Sequence, residues 1–289
     1  MPNRRYLQLD VFAPRPGTGN PLGVVLDAGG MDTVAMQALA AWLNLSETIF
    51  FLPPDADADY HIRIFTPGSE LPFAGHPSVG AAWAVVKHGL ASPRDGLLVQ
   101  QCQAGLLPVR VDGGAGAPRI AVRSPRARQV QELTTPLPAG LASLARAGQA
   151  VELWNNGPSW WLIEAATPGL LRTYKPDFGA IAAWTDATDA TGVAIFANEA
   201  SDEHDIAVRA FCPGDAVGIP EDPVTGSANA LVGAWLDRRH RLPHAHDHYI
   251  ASQGRELGRD GRVLVRVDDE GEVWIGGQVQ QIIEGHLDW

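Results

Sequence analysis

The sequence predicts an α+β protein built as two similar lobes, each a sheet wrapped around one buried helix. Three observations lead there. Ile62 to Val86, laid over Val208 to Val232 at an offset of 146 without a gap, gives nine identical pairs among 25. They include Arg63/Arg209, Phe65/Phe211, Pro67/Pro213, Pro77/Pro223 and Gly80/Gly226. Two copies half a chain apart point to two lobes, because a solenoid needs at least three short repeats. Each copy then ends in a segment that is apolar on nearly every face, Val79–Val86 and Gly226–Leu236, and such a helix is buried. The remaining chain breaks into short apolar or alternating runs punctuated by Pro and Gly, as strands do.

Taken in order, Tyr6–Phe12 and Gly23–Leu26 read as strands flanking a Pro/Gly loop that ends Gly19-Asn20-Pro21. Met31–Leu43 has helical spacing, with Met36, Leu39, Ala40 and Leu43 on one face. The polar step Asn44-Leu45-Ser46-Glu47-Thr48 leads into the apolar strand Ile49–Leu52, and Asp55–Asp59 is a turn. The first repeat follows: the strand Ile62–Phe65, a Pro-Gly break, and a helix expected to open at His76-Pro77, since proline suits the first helical position. Leu97–Gln103, Gly105–Val111 and Arg119–Arg123 alternate like meander strands. Ser124–Gly148 loses periodicity, which places a boundary near residue 128 between lobes 1–128 and 129–289, with the last strand free to cross back. Val151–Leu153 and Asn155–Leu162 echo the first hairpin. Asp177–Thr185 reads as a helix and Gly192–Ala197 as a strand. In the second repeat, Asp222 before Pro223 is a natural helix cap. Tyr249–Ala251, Val263–Val267 and Glu272–Ile283 close the chain as strands.

With 289 residues there is room for two domains and a sizeable core. A net charge of −11 argues against binding nucleic acid or anionic membrane. No apolar run reaches the length of a membrane span, and the N-terminus alternates like a strand instead of forming a signal peptide, so the expected location is the cytoplasm. Two cysteines, Cys102 and Cys212, make no disulfide scaffold and read as buried thiols.

The repeat also directs attention to chemistry. In the gapless overlay His76 stands where Asp222 stands, and Gly75 where Glu221 stands. Unlike polar groups at one matched point suggest a site between the lobes. Helix N-termini attract anions through free N–H groups and the dipole, so two of them facing one cleft would hold a carboxylate. Taken alone, Glu47 reads as a solvated turn carboxylate, His76 as a helix-start residue, and Ser227 either as a small packing residue or as a first-turn hydroxyl meeting a ligand. Arg63 and Arg209 read as scaffold ion pairs outside the site. His244, His246 and His248 alternate in a loop and are read as solvated, because zinc sites normally recruit ligands from elsewhere as well. Trp154, Trp160 and Trp161 are expected to fill a core or a subunit interface. Gly113-Gly114-Ala115-Gly116 does not open a helix, so no dinucleotide fingerprint is present.

At these residues the chain resembles the PhzF family, the phenazine-biosynthesis-like isomerases with a diaminopimelate-epimerase-like fold. The matching motifs are Asn44-Leu45-Ser46-Glu47-Thr48, Arg63-Ile64-Phe65-Thr66-Pro67 with Glu70-Leu71-Pro72-Phe73-Ala74-Gly75-His76-Pro77, and Gly218-Ile219-Pro220-Glu221-Asp222-Pro223-Val224-Thr225-Gly226-Ser227-Ala228. Ser252-Gln253-Gly254 with Gly258-Arg259 and the closing Gly276-Gly277 complete the set, which spans essentially the whole chain. The resemblance implies two pseudo-symmetric lobes, each a β-barrel-like sheet around a central helix, with an active site in the cleft. It implies Glu47 as the catalytic carboxylate, His76, Asp222 and Ser227 around the substrate, and backbone donors near Gly75 and Gly226. It further implies a proton moved between carbons of a small carboxylate or amino acid, no metal or organic cofactor, and a homodimer.

Glu47 in a dry cleft would have its ionised form disfavoured, bringing its pKa toward working pH. One carboxylate can take a proton from one carbon and return it to a neighbour on the same face, which favours an isomerase. Two alternatives stand beside it. A racemase or epimerase would use paired cysteines in the two helix-start loops, and Ala74-Gly75-His76 and Asp222-Pro223 hold none. A catalytically idle ligand-binding protein would not need a carboxylate in these glycine-rich loops.

Overall fold

The computed structural model describes residues 3–114, 116, 118–214, 220–243 and 248–289; Gly218 and Ile219 of the second motif, and His244 and His246, lie outside them. The fold is α+β, rich in sheet with few helices. The chain divides into two compact units, Met1–Arg123 with Gly276–Trp289, and Ser124–Ile275.

The first unit contains β1 (Asn3–Val11), β2 (Asn20–Val25), α1 (Thr33–Leu43), β3 (Glu47–Leu52), β4 (Tyr60–Phe65), the two-residue β5 (Glu70–Leu71), α2 (Gly75–Lys87), β6 (Leu97–Cys102), β7 (Gly105–Asp112) and β8 (Arg119–Arg123). Its sheet runs β1-β2-β3-β4-β6-β7-β8, antiparallel except at β2–β3 and β4–β6. Parallel neighbours cannot be joined by a tight hairpin, so each such pair requires a crossover. The crossovers here are α1 and α2. Asp32 caps α1 by accepting from the Ala35 N–H at 2.8 Å, and Asn44 ends it in the left-handed region at φ 52°. The face of α1 bearing Met36, Leu39 and Ala40 is buried with Phe50 and Phe65, as its spacing predicts. Every residue of α2 from Gly75 to Val85 is buried, and the helix packs against β1 to β4, β6 and β8. Gly80 permits this closeness: a Cβ there would lie 2.4 Å from Cδ2 of Leu22.

The second unit contains β9 (Arg128–Glu132), α3 (Ala139–Ala142), β10 (Glu152–Asn155), β11 (Ser159–Glu164), α4 (Pro168–Thr173), α5 (Phe178–Ala187), β12 (Gly192–Asn198), β13 (Ile206–Phe211), β14 (Glu221–Asp222), α6 (Gly226–Arg238), β15 (His248–Gln253) and β16 (Gly261–Val267). Its order is β9-β10-β11-β12-β13-β15-β16, again with two parallel pairs, β11–β12 and β13–β15. The crossovers are α4 with α5, and α6. The aromatic core predicted for Trp161 is present, with the Trp184 ring tilted against it at 5.0 Å between centroids. β17 (Val273–Gly277) leads the chain onward to β18 (Val279–Asp288), which pairs antiparallel with β1 in the first unit.

Comparing the two crossover helices corrects the gapless overlay. Both helices have 13 residues and begin at Gly75 and Gly226. Four residues separate Phe65 from Glu70, whereas nine separate Phe211 from Glu221. The second interval is therefore longer by five residues. The true match sets Glu70-Leu71-Pro72-Phe73-Ala74-Gly75-His76 beside Glu221-Asp222-Pro223-Val224-Thr225-Gly226-Ser227, so His76 corresponds to Ser227 and Gly75 to Gly226.

Asp222 is correspondingly no helix cap. It lies in β14, opposite Ala210, because a residue before proline is pushed toward extended backbone. The helix waits until Gly226, with Thr225 at the cap position.

Candidate functional site

In the first unit, Glu47 opens β3 opposite Leu22 of β2, and His76 is the second residue of α2. The two side chains meet with His76 Nε2 3.4 Å from Glu47 Oε2; the imidazole is 4% exposed and the carboxylate 14%. Asn20, the first residue of β2, sets Nδ2 3.5 Å from Nδ1 of the same ring, and the Pro21 carbonyl accepts a hydrogen bond from it. Since Nε2 has no hydrogen-bond partner among the described residues, that bond belongs to Nδ1. Gly75 begins the helix after Ala74, whose side chain supplies no cap, so the first-turn N–H groups have no intrahelical acceptor.

Burial lowers the pKa of His76 from its ordinary value to about 3, the Pro21 hydrogen bond opposing this more weakly. The ring is therefore neutral at physiological pH. A neutral ring carries no titrating proton there and stands as a polar neighbour of Glu47 at 3.4 Å. A stability effect follows from linkage. The unfolded histidine takes up a proton near pH 6.5 and the folded one only near 3, so the contribution is complete above pH 6.5 and is lost as pH falls toward 3. At full effect it amounts to a few kcal/mol. Urea denaturation of His76→Gln is expected to lose less stability than wild type between pH 7 and pH 4; parallel losses would contradict the neutral, buried ring.

In the second unit, Gln253 at the end of β15 organises the approach to α6. Its Nε2 donates to the Asp222 carbonyl and to Thr225 Oγ1, both at 2.9 Å. Its Oε1 accepts from the Thr225 N–H at 3.1 Å and from Asn229 Nδ2 at 2.8 Å. The first unit has a matching tether, in which Gln100 Nε2 donates to Ser78 Oγ at 2.9 Å. Ser78 and Asn229 occupy the fourth position of their helices. Ser227, second in α6, accepts from Trp160 Nε1 at 3.2 Å, and its carbonyl accepts from Asn156 Nδ2 at 3.0 Å.

Arg63 and Arg209 form ion pairs with Glu70 and Glu221, as scaffold residues should. Of the predicted site residues, Glu47, Gly75 and His76 gather in the first unit, and Asp222, Gly226 and Ser227 in the second. Asn20, Asn156 and Trp160 escape the sequence reading as site residues, although the echo between Gly19-Asn20-Pro21 and Asn155-Asn156-Gly157-Pro158 marks the turns that carry the two asparagines. A groove of about 500 Å³ lined by Phe51, Leu52, Pro53 and Tyr60 lies at the opposite end of β3 from Glu47 and contains none of the candidates. Among the described residues no cluster of three or more His, Cys, Asp or Glu is placed to hold a metal ion. No helix among them is long and apolar enough to cross a membrane.

A family model described as phenazine biosynthesis-like protein, PhzC-PhzF, matches residues 9–285. The chain is 32% identical to antisense-enhancing sequence 1 of Schizosaccharomyces pombe, over 99% of each chain. It is also 32% identical to the trans-2,3-dihydro-3-hydroxyanthranilate isomerase of Pseudomonas aeruginosa, over 93% of this chain and 92% of that one. Among solved structures it is similar to the Bacillus anthracis phenazine biosynthesis protein of the PhzF family, with a TM-score of 0.86, 25% identity and 99% coverage of both chains.

Proposed function

The chain belongs to the phenazine biosynthesis-like family and is an isomerase of that type, and we propose that it moves a proton between two carbons of a small carboxylate or amino-acid-like substrate, with Glu47 as general acid and base. The observation that carries this reading is the Glu47 carboxylate set against a neutral, buried imidazole at a helix start. During such a reaction Glu47 alternates between carboxylate and carboxylic acid. With its proton on Nδ1, donated to the Pro21 carbonyl, the neutral His76 ring turns Nε2 toward Glu47 as an acceptor for the acid form, 3.4 Å from Oε2.

The roles proposed for the remaining residues are substrate hydrogen bonding for Asp222 and Ser227, and carboxylate binding by the first-turn N–H groups near Gly75 and Gly226. The chemistry requires neither a metal nor an organic cofactor. A cytoplasmic homodimer belongs to the same reading and is supported by the family resemblance.

A racemase needs an acid or base on each face of the reacting carbon, and the second unit argues against one at the matched place. By strand pairing, Glu47 opposite Leu22 corresponds to Gly192 opposite Trp160. A Cβ on Gly192 would lie 2.3 Å from the Phe211 carbonyl oxygen and 2.6 Å from Cζ3 of Trp160. No side chain fits there. Cys102 and Cys212 are both buried, in β6 and directly after β13, and neither stands at a helix start.

The test is proton NMR in D₂O with trans-2,3-dihydro-3-hydroxyanthranilate and a panel of small cyclic and acyclic amino acids. Isomerisation with deuterium appearing at the newly protonated carbon is expected for at least one compound. Inversion at a single carbon, blocked by thiol alkylation, would favour the racemase, and binding without exchange would favour a ligand-binding protein.

A further inference from the structure

We propose that Trp160 is a positioning residue that fixes the Ser227 hydroxyl as a hydrogen-bond donor, so that the substrate atom meeting Ser227 is an acceptor oxygen, as in a carboxylate or carbonyl group. The inference rests on the reading above that Ser227 touches substrate.

An indole N–H can only donate. Trp160 Nε1 lies 3.2 Å from Ser227 Oγ, so it occupies a lone pair of the hydroxyl oxygen and leaves the hydroxyl proton to point elsewhere. Among the described residues that proton has no acceptor, and Ser227 is only partly buried. A hydroxyl or amide neighbour could reverse its polarity; an indole cannot. The ring itself is 3% exposed, and its place is secured from both sides. Gly192 opposite it has no room for a side chain. Asn156 holds the Ser227 carbonyl at 3.0 Å and Ser124 Oγ at 3.1 Å, fixing the backbone that carries the hydroxyl. The position that holds Leu22 beside Glu47 in the first unit thus holds a large one-way donor in the second.

The experiment is a double-mutant cycle on the full-length protein, with Ser227→Ala, Trp160→Phe and the double variant, read by calorimetric titration. The probe is 3-hydroxyanthranilate, a stable aromatic analogue of the compound named for the Pseudomonas relative. Phenylalanine keeps most of the ring and removes the donor. Ser227→Ala is expected to weaken binding about five- to tenfold, as for loss of one hydrogen bond. Trp160→Phe is expected to weaken it about threefold or more in the wild-type background and less than twofold once Ser227 is alanine. Independent effects of the two substitutions would overturn the role of Trp160 and leave the site reading intact. No binding by wild type, or no effect of Ser227→Ala, would overturn the site reading and the inference with it. Should Trp160→Phe fail to fold, the indole N–H resonance of Trp160 decides: it must shift in Ser227→Ala and again when wild type binds the probe, and an unmoved resonance overturns the proposal.

Discussion

Glu47→Gln is expected to lower deuterium exchange and isomerisation by roughly 10²–10⁴-fold, the usual contribution of a positioned general acid or base, while leaving the fold and probe binding nearly unchanged. The amide has the size of the carboxylate and can keep the 3.4 Å contact with His76, but it cannot take up and return a proton. His76→Gln should cost less, because a neutral amide can replace a neutral imidazole as donor and acceptor. The order of the two effects separates the roles. If His76 were the proton carrier, His76→Gln would be the more damaging change. Exchange measured at saturating substrate, with titration calorimetry for binding, distinguishes lost chemistry from lost affinity. Full turnover by Glu47→Gln would end the assignment.

The strands and both crossover helices are legible in the sequence because their signals are local: an alternating or apolar run, a Pro-Gly break, an apolar segment of small residues. The register between the two repeats is a different kind of information. Phe65 and Phe211 align at one offset and Gly75 and Gly226 at another, since the second interval is five residues longer. The gapless overlay still collected Pro77/Pro223, Gly80/Gly226 and several Ala and Val pairs. Buried helices that pack closely against surrounding strands are made of Gly, Ala and Val throughout, so almost any overlay of two such helices yields identities. The informative residues were the polar ones. Glu70 and Glu221 each answer an arginine, at Arg63 and Arg209, and placing those pairs together recovers the register that the small residues obscure.

Trp160 was out of reach for another reason. A tryptophan beside another tryptophan reads as core, and Trp161 is core. The contact from Trp160 to Ser227 depends on which strand lies beside β12 and where α6 begins, and neither is written near residue 160. The same holds for Glu47 and His76, whose encounter requires β2, β3 and α2 to be in place. Motif resemblance supplied that pairing of roles; local sequence supplied only the residues.

Arg209→Ala is expected to destabilise the second unit by about 3–5 kcal/mol, whereas Arg63→Ala, at the matched position of the first unit, should cost under about 1 kcal/mol. The chemistry of the two pairs is the same. Arg63 donates to Glu70 from Nε and Nη2, Arg209 donates to Glu221 from the same two atoms, and each guanidinium lies over the phenylalanine two residues on, at 5.1 and 4.9 Å. Burial separates them. The side chains of Arg63 and Glu70 are 22% and 23% exposed, those of Arg209 and Glu221 3% and 5%. Arg209 also donates from Nη1 to the carbonyls of Leu171 at 3.1 Å and Tyr174 at 2.8 Å. Its removal leaves a buried carboxylate and the Tyr174 carbonyl unanswered, whereas water can reach Glu70 when Arg63 is lost. A double variant, Arg209→Met with Glu221→Leu, should recover part of the loss, because the dominant cost is the charge left behind and not the pair forgone. Urea denaturation of the three variants checks the order. Equal losses for Arg63→Ala and Arg209→Ala would mean that burial does not set the worth of this repeated ion pair.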